Sequence, residues 1–599
     1  MNKILAFFNN HWLALILALS VGGTIIFPNL LFFYQAGDQY GGFNMFETDG
    51  EYYYLARVRE VYDGHYSIAS PLFSVKDLPY VYPPLPELIM GFSGLVLGLG
   101  INGVAILFRF LSPSLIFLLI YFLVLRLSGN KKAAIFAPIV TILAYNLISS
   151  PGQLWQILTG SDLTENQFSI YSRPVNPQIS TLFFLAFLYA FWQRLATTKK
   201  RYFYYSVLLF GLAIHVYLYT WVFLTIFLGL QGLVSLIRRQ AAEFKKVLGV
   251  LLIGSLFTVP YFLNSFNLSR HFSYPNLTLH YGLVTSHQPV FSSVVLLALV
   301  CLFFVYILNR PQPVSRSFWF LLLLVLSGAV AINQQIITGQ LMQAGHFHWY
   351  FNRPILIIVI AVLLFQFLDK IKIKSVYQHL LLTIIVVISF VNIFEIHNAS
   401  YQYHLAKYWR AQKYQDVIGW FNKNAQPEAV VYVPESYFYP IPGRDLETVD
   451  SFMLNRFMVI YTPLNVYYDS KAGLSLLPYP DYDKYNLLLT LKLLNIQPDQ
   501  AADYLQTNPA IFRDISGMYF KTRGLNSSQV PADWISSITS QYQDFYLKPW
   551  PEIFSQYPLD YIAWDKADLP DLPFEQIKDE FNLYQEVYSD GQVIVYEVL

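Results

Sequence analysis

Long apolar runs separated by short polar connections dominate the first 400 residues. They lie at about 12–34, 104–127, 133–149, 178–195, 203–218, 219–237, 246–263, 288–308, 317–333, 353–368 and 375–396. A bilayer core of ~30 Å needs ~20 apolar helical residues, so each run can cross or nearly cross, and about eleven transmembrane helices are expected. The two runs within 203–237 are contiguous and short for spans. The first run, His11 to Tyr34, exceeds the ~7–15 residues of a signal-peptide core and precedes no small-residue cleavage site, so it reads as a retained span.

The connections alternate in charge. With the amino terminus inside, the cytoplasmic ones hold Arg126/Lys131/Lys132, Arg194/Lys199/Lys200/Arg201, Arg238/Arg239/Lys245/Lys246, Arg310/Arg316 and Lys370/Lys372/Lys374. The opposite loops after the first hold mainly Arg173, Arg270 and Arg353. This is the positive-inside pattern. A further apolar stretch, 85–100, would invert every later loop if it crossed. It is therefore expected to lie in the interface or dip partway, started by Pro83-Pro84.

After 397 the pattern changes. VIGWFNKNAQPEAVVYVPES reads as helix, turn, strand, and FMVIYTPLNVYY, DYIAWD and QVIVYEVL read as further strands. The expected organisation is a membrane domain over 1–397, with a first outer loop at 35–103, and an extracytoplasmic mixed α/β domain over 398–599.

Composition agrees. The chain is 55% hydrophobic and 13% charged, against about 25% charged in soluble domains, and its net charge of +1 gives no case for nucleic acid. The single cysteine, Cys301, excludes a disulfide framework within the chain. That fits a prokaryotic envelope protein. No Walker loop, HExxH or nucleophile elbow occurs.

The polar residues that stand out follow the first span directly. ETDGEYYYLARVREVYDGHY, 47–66, puts Glu47, Asp49 and Glu51 at the membrane edge, where carboxylates are expensive. Asp49 or Thr48 can cap a helix from Gly50 to about Tyr62, ending at Asp63-Gly64. Arg57/Glu60 and Arg59/Asp63 are spaced to pair on it. The residues alone leave two readings open: a capped interfacial helix, or chemistry on a substrate whose phosphate lies at headgroup level.

This order of features resembles the membrane glycosyltransferases of the GT-C fold, which include oligosaccharyltransferase catalytic subunits, protein mannosyltransferases and aminoarabinose transferases. The matching residues are Asp49, Tyr52 to Tyr54, Ala56-Arg57, Gly64-His65 and Tyr82-Pro83-Pro84-Leu85. At residue level the match runs over about 47–87. The mannosyltransferase pattern has adjacent acids, whereas Gly50 separates Asp49 from Glu51.

The resemblance implies a sugar donor on a polyprenyl phosphate or diphosphate. The acceptor is a saccharide, lipid or protein on the extracytoplasmic side of the cytoplasmic membrane. The leaving phosphate needs positive charge or a metal rather than a general acid. The acceptor needs a carboxylate base, a role that falls to Asp49 with Glu51 as the second acid. One displacement inverts the anomeric carbon. The resemblance also implies a Mg²⁺ or Mn²⁺ site from Asp49, Asp162 and Glu165, whose oxygens suit such ions. Ser161 or Asp162 equally suits a helix cap.

Arg57, Arg173, His346, His348 and Arg353 are the candidates for substrate or lipid-phosphate contact. His346 and His348 share a face if the chain there is extended. Zinc lacks a further ligand at a recognisable spacing. Tyr432, Tyr437, Tyr439, Trp534, Trp550 and Trp564 of the last 200 residues suit either a core or sugar stacking. Two other readings remain: a transporter or flippase of lipid-linked saccharides, and a non-catalytic envelope-assembly scaffold. The first predicts ionisable residues deep in the spans, where His215 and scattered Asn and Gln mostly stand.

Overall fold

The computed structural model describes residues 2–46, 48, 50–149, 152–159, 167–280, 283–310, 312–434, 453–469, 474–509, 511 and 530–599. Each of the eleven apolar runs forms helix. Among the described residues six helices are long and apolar enough to cross a membrane: Leu5–Gln39, Ile101–Ser128, Pro174–Ala196, Leu218–Ile237, Ala344–Lys370 and Ser375–Asn424. Ala241–Leu256 and Val259–Leu268, bent by 48° at their junction, make a seventh if they form one span. The runs at 133–149, 203–218, 288–308 and 317–333 form helices of 13 to 16 residues, about 20–24 Å at 1.5 Å per residue. By length and composition alone, six of the described helices, or seven with the bent pair as one span, are long enough to cross. The chain is a polytopic helical membrane protein.

α1 (Asn2–Ala36) packs along α4 (Ile101–Ser128). Between them in sequence come α2 (Glu51–Tyr62) and α3 (Leu85–Leu97). α3 is the 85–100 stretch. Its 13 residues span about 20 Å, short of the hydrocarbon core, and it ends at Gly98, whose φ of 65° suits a residue without Cβ. Its last turn leaves Leu95, Val96 and Leu97 exposed, Val96 at 84%. Gly91 and Gly94 let α2 lie close against it: a Cβ on Gly91 would stand 2.5 Å from the Val61 Cβ.

The final 200 residues build a five-stranded mixed sheet of β3 (Val430–Tyr432), β4 (Asn465–Val466), β5 (Tyr561–Asp565), β6 (Tyr584–Ser589) and β7 (Val593–Val598), in the order β4-β3-β5-β7-β6. A separate ladder pairs β1 (Val284–Thr285) with β2 (Gln340–Leu341). β3 runs parallel to β4 and β5, in register Val431 with Tyr561; β7 is antiparallel to β5 and β6. The expected strands at DYIAWD and QVIVYEVL form. FMVIYTPLNVYY corrects the reading: it is a helix, Met453–Tyr461, followed by the short β4. Its apolar residues are buried almost continuously, and a short buried run has no period by which strand and helix can be told apart.

The boundary expected at 397 falls inside a helix, Ser375–Ala411, that carries the last span unbroken into the terminal region. The first loop and that region also share one core. Phe43 stacks on Phe457 at 4.6 Å, and the Tyr52 hydroxyl donates to Asp469 at 3.0 Å. The Val466 N–H donates to the Leu72 carbonyl at 2.9 Å, so the loop continues the sheet edge. The loop and the terminal residues are one packed unit.

Candidate functional site

α2 starts without a side-chain cap. Its first residue, Glu51, folds back: one carboxylate oxygen accepts from the Thr48 N–H at 3.2 Å and the Thr48 hydroxyl at 2.7 Å. This is half of a capping box. The other oxygen accepts from Arg109 of α4. Arg109 also donates to the Asn29 side chain at 2.6 Å and to the Met45 carbonyl at 3.3 Å. Glu51 is 1% exposed, and burial pushes its carboxyl up despite the opposing pull of Arg109. Thus Glu51, a catalytic candidate in sequence, sits in a closed ion pair that fastens the loop to α1 and α4.

Arg57 is likewise inside. It donates from Nε to Glu87 of α3 at 2.6 Å, and to the carbonyls of Ile68 at 3.3 Å and Tyr82 at 3.0 Å. With 0% exposure it ties α2 to α3 and the loop, and the contact expected with Glu60 is not made. Glu60 instead accepts from Lys76 at 2.8 Å and pairs with His65 at 3.0 Å, while Arg59 and Asp63 pair as spaced, at 2.7 Å.

Glu47, Asp49, Asp162 and Glu165 lie outside the described residues. Among the described residues no cluster of three or more His, Cys, Asp or Glu could hold a metal.

The other candidates converge on a different pair of segments. Pro174–Ile179 and His348–Asn352 both open long helices: the first is a kink at which Asn176 (φ −130°, ψ 120°) leaves the helical region, the second a widened π-type turn, a distortion common at functional positions. Pro174 and Pro177 lack N–H groups, which breaks the helical ladder here. Arg173, just before the first turn, fills part of the gap by donating to the Asn176 carbonyl. Its Nη2 donates to the Tyr350 hydroxyl in the second turn at 2.8 Å, and its guanidinium lies 5.3 Å from the centroid of Tyr54 in α2. Arg173, 8% exposed, thus joins three separate segments.

His346 hydrogen-bonds Tyr217 and lies against Tyr219 and Tyr350, with ring centroids at 4.7 and 5.7 Å. His348 turns instead toward Ser292, at 3.4 Å. The chain here is helical, so residues two apart diverge, where an extended strand would have aligned them. Arg353 donates to the Tyr145 hydroxyl and packs over Trp349 at 3.9 Å. The result is a polar cluster of two arginines, one histidine and several tyrosines, at the ends of helices, beside the first turn of α2.

Sequence reasoning passed over Arg109, Tyr217, Tyr145 and Asn176. Arg109 had a signal, since a charge inside an apolar run needs a partner. It also corrects the list of span-interior ionisable residues, where only His215 stood out. The tyrosines had none: in a chain with 46 of them, position alone selects the few that meet.

No protein-family profile and no curated protein matches the chain. Solved structures similar in shape include the following two. ArnT from Cupriavidus metallidurans in the apo state shares 12% identity at a TM-score of 0.46, over 95% of this chain and 97% of that one. Arabinofuranosyltransferase AftD from Mycobacteria shares 12% identity at a TM-score of 0.48, over 96% of this chain; the likeness spans 40% of AftD.

Proposed function

We propose that the chain is a membrane glycosyltransferase that moves a sugar from a polyprenyl phosphate or diphosphate to an extracytoplasmic saccharide, lipid or protein. The observation that carries the reading is the junction at Arg173, where a buried cation meets the helix that follows the acidic motif and the aromatic segment before Arg353. Asp49, two residues before that helix, takes the proton from the acceptor hydroxyl or amide. The acceptor atom bonds to the anomeric carbon as its bond to the phosphate oxygen breaks, with inversion. The bonding pair leaves with the phosphate, whose growing charge Arg173 and Arg353 stabilise. Glu51 and Arg57 act by holding the loop in place.

Mg²⁺ or Mn²⁺ on Asp49, Asp162 and Glu165 is the second part of the proposal. Its support is the oxygen chemistry of three loop carboxylates. Chelation should abolish transfer and Mn²⁺ restore it; indifference to both removes the metal from the reaction.

The decisive experiment is Asp49→Asn, assayed in proteoliposomes with a panel of synthetic polyprenyl-phosphate hexoses and pentoses. Transfer should fall by at least about 100-fold, a typical general-base contribution, while the unfolding midpoint stays in place. Undiminished transfer rejects Asp49 as the base, and transfer from no member of the panel by the wild type counts against the donor class.

A further inference from the structure

A cavity of about 650 Å³ opens in the terminal α/β region at the ends of helices Tyr482–Leu493 and Ala532–Leu547. The Lys492 ammonium is fixed there by the carbonyls of Tyr546, at 2.9 Å, and Lys548. Two of its three N–H donors are so used among the described residues, and one remains for a ligand. The ammonium stands 4.8 Å from the centroid of Trp550, whose ring stacks on Phe554 at 5.7 Å. Asp571, Gln576 and Glu580 also line the cavity. Gln576 donates to one Glu580 oxygen at 2.9 Å and leaves the other as an acceptor.

These groups select among ligands. Three acidic residues, Asp568, Asp571 and Glu580, line the cavity with one ammonium, so the wall is net negative and disfavours phosphates and acidic sugars. The density of donors and acceptors disfavours a purely apolar ligand, which would strip them of water without replacement. A sugar hydroxyl both donates and accepts, and the C–H face of a sugar ring suits the indole and phenol walls. We propose that this cavity binds a neutral saccharide. The site is separate from the Arg173 junction and does not rest on the transferase reading.

The test uses the full chain in nanodiscs, probed by calorimetry and saturation-transfer NMR. Probes are soluble gluco-, manno-, galacto- and arabino-oligosaccharides, with methylamine and inorganic phosphate beside them. At least one neutral series should bind. Trp550→Ala, Asp571→Asn and Gln576→Ala should each weaken it by about tenfold, and Asp49→Asn should leave it unchanged. Asp571 and Gln576 are exposed, so their variants decide the matter if Trp550→Ala unfolds. No binding of any neutral series by the wild type, binding that the exposed variants leave untouched, or binding of phosphate or methylamine in place of sugar would each overturn the assignment.

Discussion

Arg173 donates to the Tyr350 hydroxyl at 2.8 Å across 177 residues of sequence. The bond fixes the kink at 174–179 to the turn at 348–352 and holds the guanidinium against Tyr54. If this cation stabilises the leaving phosphate, Arg173→Met should lower transfer by about 100–1000-fold, as loss of a charge-stabilising donor does elsewhere. Tyr350→Phe removes one hydrogen bond of about 1 kcal/mol and should cost about fivefold. Initial-rate measurements check both, and equal effects of the two variants would make Arg173 structural.

Glu51 and Arg109 form a buried pair, and removing one partner strands the other charge. Glu51→Leu or Arg109→Met should each destabilise by about 3–5 kcal/mol, while the double variant recovers most of that. Unfolding in detergent measures the cycle. Additive losses would show that the two side chains do not depend on each other.

α2 and α3 touch through glycine. Gly91→Ala places a methyl group 2.5 Å from the Val61 Cβ, a β-branched atom that cannot swing aside. The cost should be about 1–3 kcal/mol, the usual range for overpacking. Val61→Gly in the same chain, which removes that Cβ, should relieve the contact, and a Gly91→Ala single variant as stable as the wild type would mean the helices part freely.

His65 bridges the first loop and the terminal region, with Glu60 and Glu428 each at 3.0 Å. The hydrogen bond to Glu60 comes first among the effects that raise its imidazole above the ordinary ~6.5. A raised folded value means the added stability is fully present below ~6.5 and is lost as pH climbs through the folded value. The thermal midpoint should therefore fall on going from mildly acid to mildly alkaline buffer, and His65→Gln should flatten that slope. An unchanged slope in the variant would assign the dependence to other groups.

Much of the architecture was legible because it follows from burial in lipid. A run such as 353–368 must be helical, since backbone polar groups in hydrocarbon have no other partners. Gly64 marked the end of α2 through a conformation that glycine takes without strain. Pro83-Pro84 likewise marked the start of the helix in the 85–100 stretch. Local chemistry of this kind is written residue by residue.

The partners of those elements were settled in three dimensions. FMVIY chose helix because its neighbours bury it on several sides, which no local period records. Arg57 faced Glu87 rather than Glu60, and Glu51 faced Arg109, because α3 and α4 pack against α2 and a buried charge takes the nearest opposite charge. Composition and periodicity, then, determined by themselves a helical membrane protein with a mixed terminal region and an acidic loop. Which arginine meets which tyrosine, and whether an acid is buried or open, depends on contacts between residues hundreds of positions apart, and only the packed chain specifies those.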